Sequence, residues 1–586
     1  MKIIFIALFA TLVSATILRQ TNFENTANAN TVARQHAIDY KTQFAFRCSP
    51  DLTLFNVDDP SNDVPLLDGW GTYRMPVTEN NDSARIYFEQ GINMYYGFHI
   101  IEALASFSKA TRFDENFAMG YWGMALSYGP NINDIGYSAS PEALDALQKA
   151  KAFSGNCTNV EKALIDAMQT RYSADTTLAR EFLNNQYASA MKKVHESFPN
   201  SGDAAALYAD ALMVLHPWDL YDENYKPKSW TPAIVSTLEE LVKEFPNHPG
   251  ACHYYIHAVE GSEHPEKAIE VANRLGAMMP GVPHLVHMPS HIYIRSGYYK
   301  QGIKVNEDAV NAYNTLLAKY PPVVNNIPLY LIHNLHMQAT CANMNGNFSE
   351  SMKASNDCRN SFDSSFMEAP GYMGTYVQYI YMTPYFTLIR FGKWNDILNT
   401  PAIPDAYVYA NIIWHYGRGL AYARMHDIAN ANKELDMLRA ALNNPQSEEQ
   451  LNDHPVAFNP ATAGAGVAEK ILQGVIAEET NDLDGAIDIL LDAKERESKM
   501  LYNEPRDWVH PVREYLGEVY IRAKKYAEAE RNYLEDLTIN PHNGWSLTGL
   551  SIALEKDKKT TQAANTKTLA AKAFATSDTK ITASVF

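Results

Sequence analysis

Two segments of this 586-residue chain repeat each other at an offset of 34 residues. HPGACHYYIHAVEGSEHPEKAIEVANRLG begins at His248, and PHLVHMPSHIYIRSGYYKQGIKVNEDAV begins at Pro283. Superposing Ala268 on Gly302 places His253 on His287 and His257 on His291. A unit of this period cannot bury its apolar face alone and must stack on its neighbours. Residues four apart share one face of a helix, so each copy also carries a histidine pair on one face.

The helical pattern starts at Ser83. In ARIYFEQGINMYYGFHIIEALASFSKATRFDENFAMGYWGMALSYG, a small residue (Gly91) precedes Ala103, Phe107 and Ala110. Small, aromatic and small residues at these offsets let two antiparallel helices pack closely, which is the tetratricopeptide pattern. The repeat position that carries the small residue of the second helix falls on Ala103, Ala268, Gly302, Ser351, Ile397, Ala431, Ala486 and Ala529. The last unit adds Gly517, Tyr520, Tyr533 and Pro541, while 140–247 is helical but drifts. Sustained period-two alternation is missing. The expected fold is all-α: a right-handed superhelical solenoid of tetratricopeptide-like helix pairs over 83–559.

Residues 16–82 read as a mostly irregular lead-in with a short helix around 31–45. Residues 560–586 read as a capping helix and a loose tail. Residues 1–15 read as a signal peptide: Lys2, an apolar run, then Val13-Ser14-Ala15 before Thr16. The run is short for a membrane span. The mature protein is expected to be secreted or lumenal, with no stable membrane span.

The net charge is −18 without a basic block, which disfavours nucleic acid and anionic membranes as partners. Five cysteines show no metal-finger or redox spacing. Cys341 and Cys358 fall on facing helices and form a disulfide candidate, with Cys48–Cys157 as a second guess and Cys252 unpaired. Asn81, Asn156 and Asn347 open glycosylation tripeptides.

Eight of the eighteen histidines lie between 253 and 336. In repeat register His253, His287 and His336 share one position, and His257 and His291 another. Glu260 and His333 fall on positions facing the same concave groove. Imidazoles from adjacent helices with one carboxylate suit a transition metal, namely zinc, copper or iron. The metal-ligand candidates are therefore His253, His257, Glu260, His287, His291, His333 and His336. The alternative is a hydrogen-bond network or a peptide-holding groove. Pro289 interrupts the second pair, so His287 sits either on the helix or on a loop before it. Arg295 is placed to grip a carboxylate, and His415 and Arg418 extend the groove. HExxH, GxSxG, phosphate-loop and nucleotide fingerprints are missing, so no nucleotide cofactor is expected.

The stretches YFEQGINMYYGF, MGYWGMALSYGPNIN, HYYIHAVE, HLVHMPSHIYIRSGYY, NEPRDWVHPVREYLGEVY and NPHNGWSLTGL resemble a family of long tetratricopeptide-repeat proteins from bacteria and some microbial eukaryotes. The resemblance covers most of 68–550. It implies a repeat solenoid and a histidine motif at His253, His257, His287 and His291, and it implies no defined reaction. The functional expectation is a secreted solenoid that binds a protein or peptide partner, or another ligand, in a histidine-rich groove holding a metal. A metalloenzyme and a self-associating extracellular assembly protein are the alternatives.

Overall fold

A computed structural model describes residues 52, 55–133, 141–322, 327–362, 364–454 and 458–586. The expected signal peptide, the helix around 31–45 and Cys48 lie outside the described residues.

The first helices are α1 (Asp82–Tyr96), α2 (Ile100–Phe113), α3 (Ala118–Ser127), α4 (Pro141–Phe153), α5 (Asn159–Met168), α6 (Arg180–Ser197), α7 (Gly202–Leu215) and α8 (Thr231–Glu244). The central group is α9 (Pro249–Glu260), α10 (Ile269–Met278), α11 (Pro283–His287), α12 (Pro289–Arg295), α13 (Tyr299–Lys319), α14 (Ile327–Asn345) and α15 (Phe348–Asn360). Then come α16 (Gly371–Tyr381), α17 (Thr383–Arg390), α18 (Trp394–Leu398), α19 (Val408–Arg424), α20 (Ile428–Leu442), α21 (Pro445–Asn452), α22 (Ala461–Glu479) and α23 (Leu483–Ser498). The chain ends with α24 (Val512–Arg522), α25 (Tyr526–Ile539), α26 (Gly544–Lys556) and α27 (Thr560–Ala573). Among the described residues β pairing is limited to one isolated bridge, Tyr221 with Pro227. The fold is an all-α helical-repeat solenoid.

One turn recurs through the array. Phe98, Gly297, Gly346, Gly392, His426, Asn481, Lys524 and Lys558 all have positive φ. Each lies two residues before the first residue of the next helix. Three residues into those helices come Ala103, Gly302, Ser351, Ile397, Ala431, Ala486, Ala529 and Ala563, all buried. The left-handed residue reverses the chain, and at every one of these positions but Ile397 a small residue lets the second helix settle against the first. At Gly302 an added Cβ would sit 2.6 Å from Cys341 Sγ.

Helix starts are fixed locally. Asn81 Oδ1 accepts from the Ser83 and Ala84 amides, and Thr158 and Glu161 form a capping box. Pro249, Pro283 and Pro289 occupy first-turn positions, where a missing N–H costs nothing.

The two ends of the chain differ from the sequence reading. The described part of the lead-in, from residue 55 to 81, forms no α-helix and is bound to the array: Leu67 N donates to Gln90 Oε1, and Asn93 Nδ2 donates to Tyr73 O. The C-terminal helix α27 completes a last pair with α26, and the tail is packed. Asp578 accepts from the Phe348 and Ser349 amides, and Phe586 lies against Trp545. A polar tail holds because the Asp578 carboxylate caps α15, Val585 is buried, and the half-buried Phe586 ring packs edge-on against Trp545.

Cys341 and Cys358 are free, buried thiols, not the expected bridge. Cys341 packs beneath Gly302, and Cys358 Sγ donates to Ile332 O at 3.5 Å. Their side chains serve different neighbours. Cys157 is a buried thiol, and the Cys48–Cys157 pairing lies outside the described residues because of Cys48.

Candidate metal centre

The histidines meet where two large apolar clusters join. The first runs to Tyr330 on α14, and the second begins at Ile332. His253 and His257 are one turn apart on α9, His284 and His287 lie on α11, His291 on α12 and His333 on α14. Three ligand sets form there: His253–His257–His284, His287–His291–His333, and His257–Glu260–His291. Within each set the ligand atoms lie within 4.8 Å of one another.

The δ nitrogens show which ring atoms face inward. His253 Nδ1 is 2.6 Å from the Tyr96 carbonyl, an acceptor, so Nδ1 carries the proton. His257 Nδ1 lies 3.1 Å from Glu260 Oε1, and His291 Nδ1 bonds Glu260 Oε2. His287 Nδ1 is 2.6 Å from Asn306 Oδ1, whose Nδ2 donates to Gly302 O. Four rings are thus held with Nδ1–H outward and Nε2 inward. This is the arrangement in which a ligating histidine gives its other N–H to a carboxylate or carbonyl.

The inward nitrogens crowd together. His257 Nε2 is 3.1 Å from His253 Nε2, and His253 Nε2 is 3.2 Å from His284 Nε2. His287 Nε2 is 2.7 Å from His291 Nε2. Burial holds His253 well below the usual histidine range, and the neighbouring His257 adds to this against the pull of the Tyr96 carbonyl. Burial also lowers His257, although Glu260 opposes it. Neutral His253 and His257, each with its proton on Nδ1, place lone pair against lone pair. Neither can donate to the other. A cation between them removes that repulsion. Two nitrogens about 2.0–2.1 Å from one tetrahedral ion stand about 3.3–3.4 Å apart, close to the spacing seen. Burial also depresses His284, His287 and His333, with neighbouring histidines adding to the effect. Glu260 is buried, yet His291 and His257 hold its carboxyl below the usual range.

Several expectations change. Pro289 neither expels His287 to a loop nor leaves one unbroken helix: His287 ends α11, Met288 keeps helical angles, and α12 starts at Pro289. His336 is outside the ligand sets. Three residues from His333 is 60° short of a full turn, and its ring turns edge-on to Tyr379 at 5.1 Å. Arg295 does not grip a carboxylate. Its Nε and Nη2 donate to the Glu260 and Ser262 carbonyls, and its guanidinium lies over Tyr225 and Tyr502. His415 and Arg418 both bond Glu434, forming a separate structural cluster. Asn81 and Asn347 spend their side chains on helix caps, and Asn81 Nδ2 donates to Phe113 O; Asn156 is exposed.

Sequence reasoning assigned no role to His284, although it stands three residues before His287 in the same stretch. It also missed Tyr96, Asn306 and Glu504. Glu504 Oε1 comes within 3.7 Å of His291 Nδ1, carried there by a segment that leaves α23 and crosses the centre before α24. The histidine surface is consequently buried rather than an open groove. One cleft, enclosing about 700 Å³ with its mouth, reaches the centre. Trp218, Tyr221, His257, Glu260, Tyr502 and Glu504 line it.

No protein-family model matches the chain, and neither does any curated protein. Among solved structures it is similar to the human IFIT1 dimer with m7Gppp-AAAA, at 15% identity and TM-score 0.28, over 85% of this chain and 91% of that one. It is also similar to yeast Tom70, at 11% identity and TM-score 0.26, over 84% and 92%. A third similar structure is the P58(IPK) TPR domain, at 12% identity and TM-score 0.23, over 81% and 98%. Likenesses of this size carry no argument about function. Among the described residues no helix is long and apolar enough to cross a membrane.

Proposed function

We propose that this protein is a metalloprotein whose helical-repeat scaffold holds a pair of transition-metal ions. One ion sits at His253, His257 and His284, and the other at His287, His291 and His333. The observation that carries the reading is the 3.1 Å contact between the ε nitrogens of His253 and His257, whose protons the Tyr96 carbonyl and Glu260 fix on the far side. Glu260 joins the two sets by accepting from a ring of each. Reactive chemistry would take place at the floor of the cleft, where His257, Glu260 and Glu504 meet solvent-accessible space. A ligand in this reading is a small molecule entering the cleft, since a peptide lying on the surface would not touch the buried rings. The N-terminal segment supports a secreted setting, which N-terminal sequencing of the exported protein checks.

Elemental analysis after chelation and reloading tests the metal reading. Two first-row ions per chain are expected, with one lost in His253→Ala. A folded wild-type protein that retains no ion from zinc, copper or iron solutions sinks it.

A further inference from the structure

Resting on that metal-centre reading, we propose that the ions are copper and that the pair binds one molecule of dioxygen between the two histidine sets.

The sets adjoin. Ring centroids of His257 and His291 are 5.5 Å apart, and those of His284 and His287 are 6.0 Å apart. Both sets consist of three imidazoles, a donor set that suits copper, the tightest-binding first-row divalent metal. Thiolate is missing from both: Cys252 neighbours His253 in sequence, but its Sγ donates to the Pro246 carbonyl. An iron-type set of two histidines and a carboxylate exists at His257, Glu260 and His291. An ion there would compete for the δ nitrogens that Glu260 already holds, and it would leave the His253 and His257 ε nitrogens in contact.

Charge favours the cuprous state. Buried charge is costly unless paired. Two zinc ions would bring four positive charges into a buried site with only two nearby carboxyl groups, Glu260 and Glu504. Two cuprous ions bring half that. When dioxygen binds, each copper gives one electron, O2 becomes peroxide with its O–O bond intact, and no proton moves. Two cupric ions with one peroxide carry the same net charge as two cuprous ions. The buried site therefore meets no new charge on binding oxygen. The cleft reaching His257 and Glu260 supplies the way in.

The test loads metal-free protein with a cuprous salt under argon, removes excess copper, and then admits oxygen. Two coppers per chain and one dioxygen consumed per two coppers are expected. A near-ultraviolet band should appear, no cupric paramagnetic resonance should be seen because the two ions couple, and flushing with argon should reverse the change. His284→Gln and His333→Gln, each checked for helicity by circular dichroism, should lower oxygen uptake at least tenfold. Wild-type protein that holds two coppers but takes up no oxygen, or gives isolated cupric signals, overturns this inference and leaves the metal pair standing. One iron per chain at the carboxylate set also overturns it. A folded protein that holds no metal overturns both readings.

Discussion

At the scale of single residues, the centre depends on how each ring is oriented. Glu260 is the clearest case, because it accepts one N–H from each histidine set. In Glu260→Gln the amide nitrogen would face one of those N–H groups, donor against donor. Metal affinity should fall about 10–100-fold, as for other lost partners of ligating histidines, in a competition titration against a chromophoric chelator; unchanged affinity would remove Glu260 from the account. Much of this was legible: the i, i+4 pairs His253/His257 and His287/His291 need only a helix. The proton positions were not, because they depend on Tyr96, 157 residues before His253, and on Asn306. Away from the centre, burial lowers His510 to about 3, with Arg390 adding to it against the Phe386 carbonyl. Its folded pKa lies below the ordinary value near 6.5, so the unfolded chain binds the extra proton between those limits. His510 therefore makes stability rise with pH across that window, by about 1.4 kcal/mol per unit, and the contribution is lost as pH falls below about 6.5. Glu497, pushed up to about 7 by burial despite Arg513, acts in the opposite sense. The readout is thus a difference: the slope of unfolding free energy against pH between about 4 and 6 should be about 1.4 kcal/mol per unit smaller in His510→Gln.

At the scale of helices, the small residue of the second helix was legible at Ala103, Gly302, Ser351, Ala431, Ala486 and Ala529, because close approach requires it, whereas Ala268 ends a short 3-10 turn before α10 and position 397 holds isoleucine. The turns were not. Phe98, His426, Lys524 and Lys558 adopt positive φ without being glycine, so no residue type announces them, and the packing of both flanking helices sets their conformation. The last pairs show how tight that packing is. Gly517 on α24 and Gly549 on α26 both press on the fully buried Tyr533 ring of α25, and a Cβ at either would overlap it. Gly517→Ala should cost about 1–3 kcal/mol in denaturant unfolding. Gly155→Ala, where a Cβ meets nothing, should stay within about 0.5 kcal/mol. Equal effects at the two sites would contradict the wedge.

At the scale of the whole molecule, the site belongs to the closed array and not to any one repeat. α9 reaches back to Tyr96 on α1, Arg506 Nη1 donates to Tyr225 Oη across 281 residues, and Trp545 Nε1 donates to Asn343 O. A periodic sequence shows which faces stack on neighbours. It does not show that the segment carrying Glu504 crosses the histidines and turns a groove into a buried centre. Arg295 illustrates the limit: its position on α12 was legible, but its partners lie in other segments. X-ray absorption on the metal-loaded protein tests the central claim most directly, since it reads the ligands of an ion held by residues 253 to 333. The account predicts about three imidazole nitrogens per ion at about 2.0–2.1 Å, with the outer-ring scattering of histidine and no sulfur shell near 2.3 Å. A sulfur shell, or a shell of oxygens without imidazole, would contradict it.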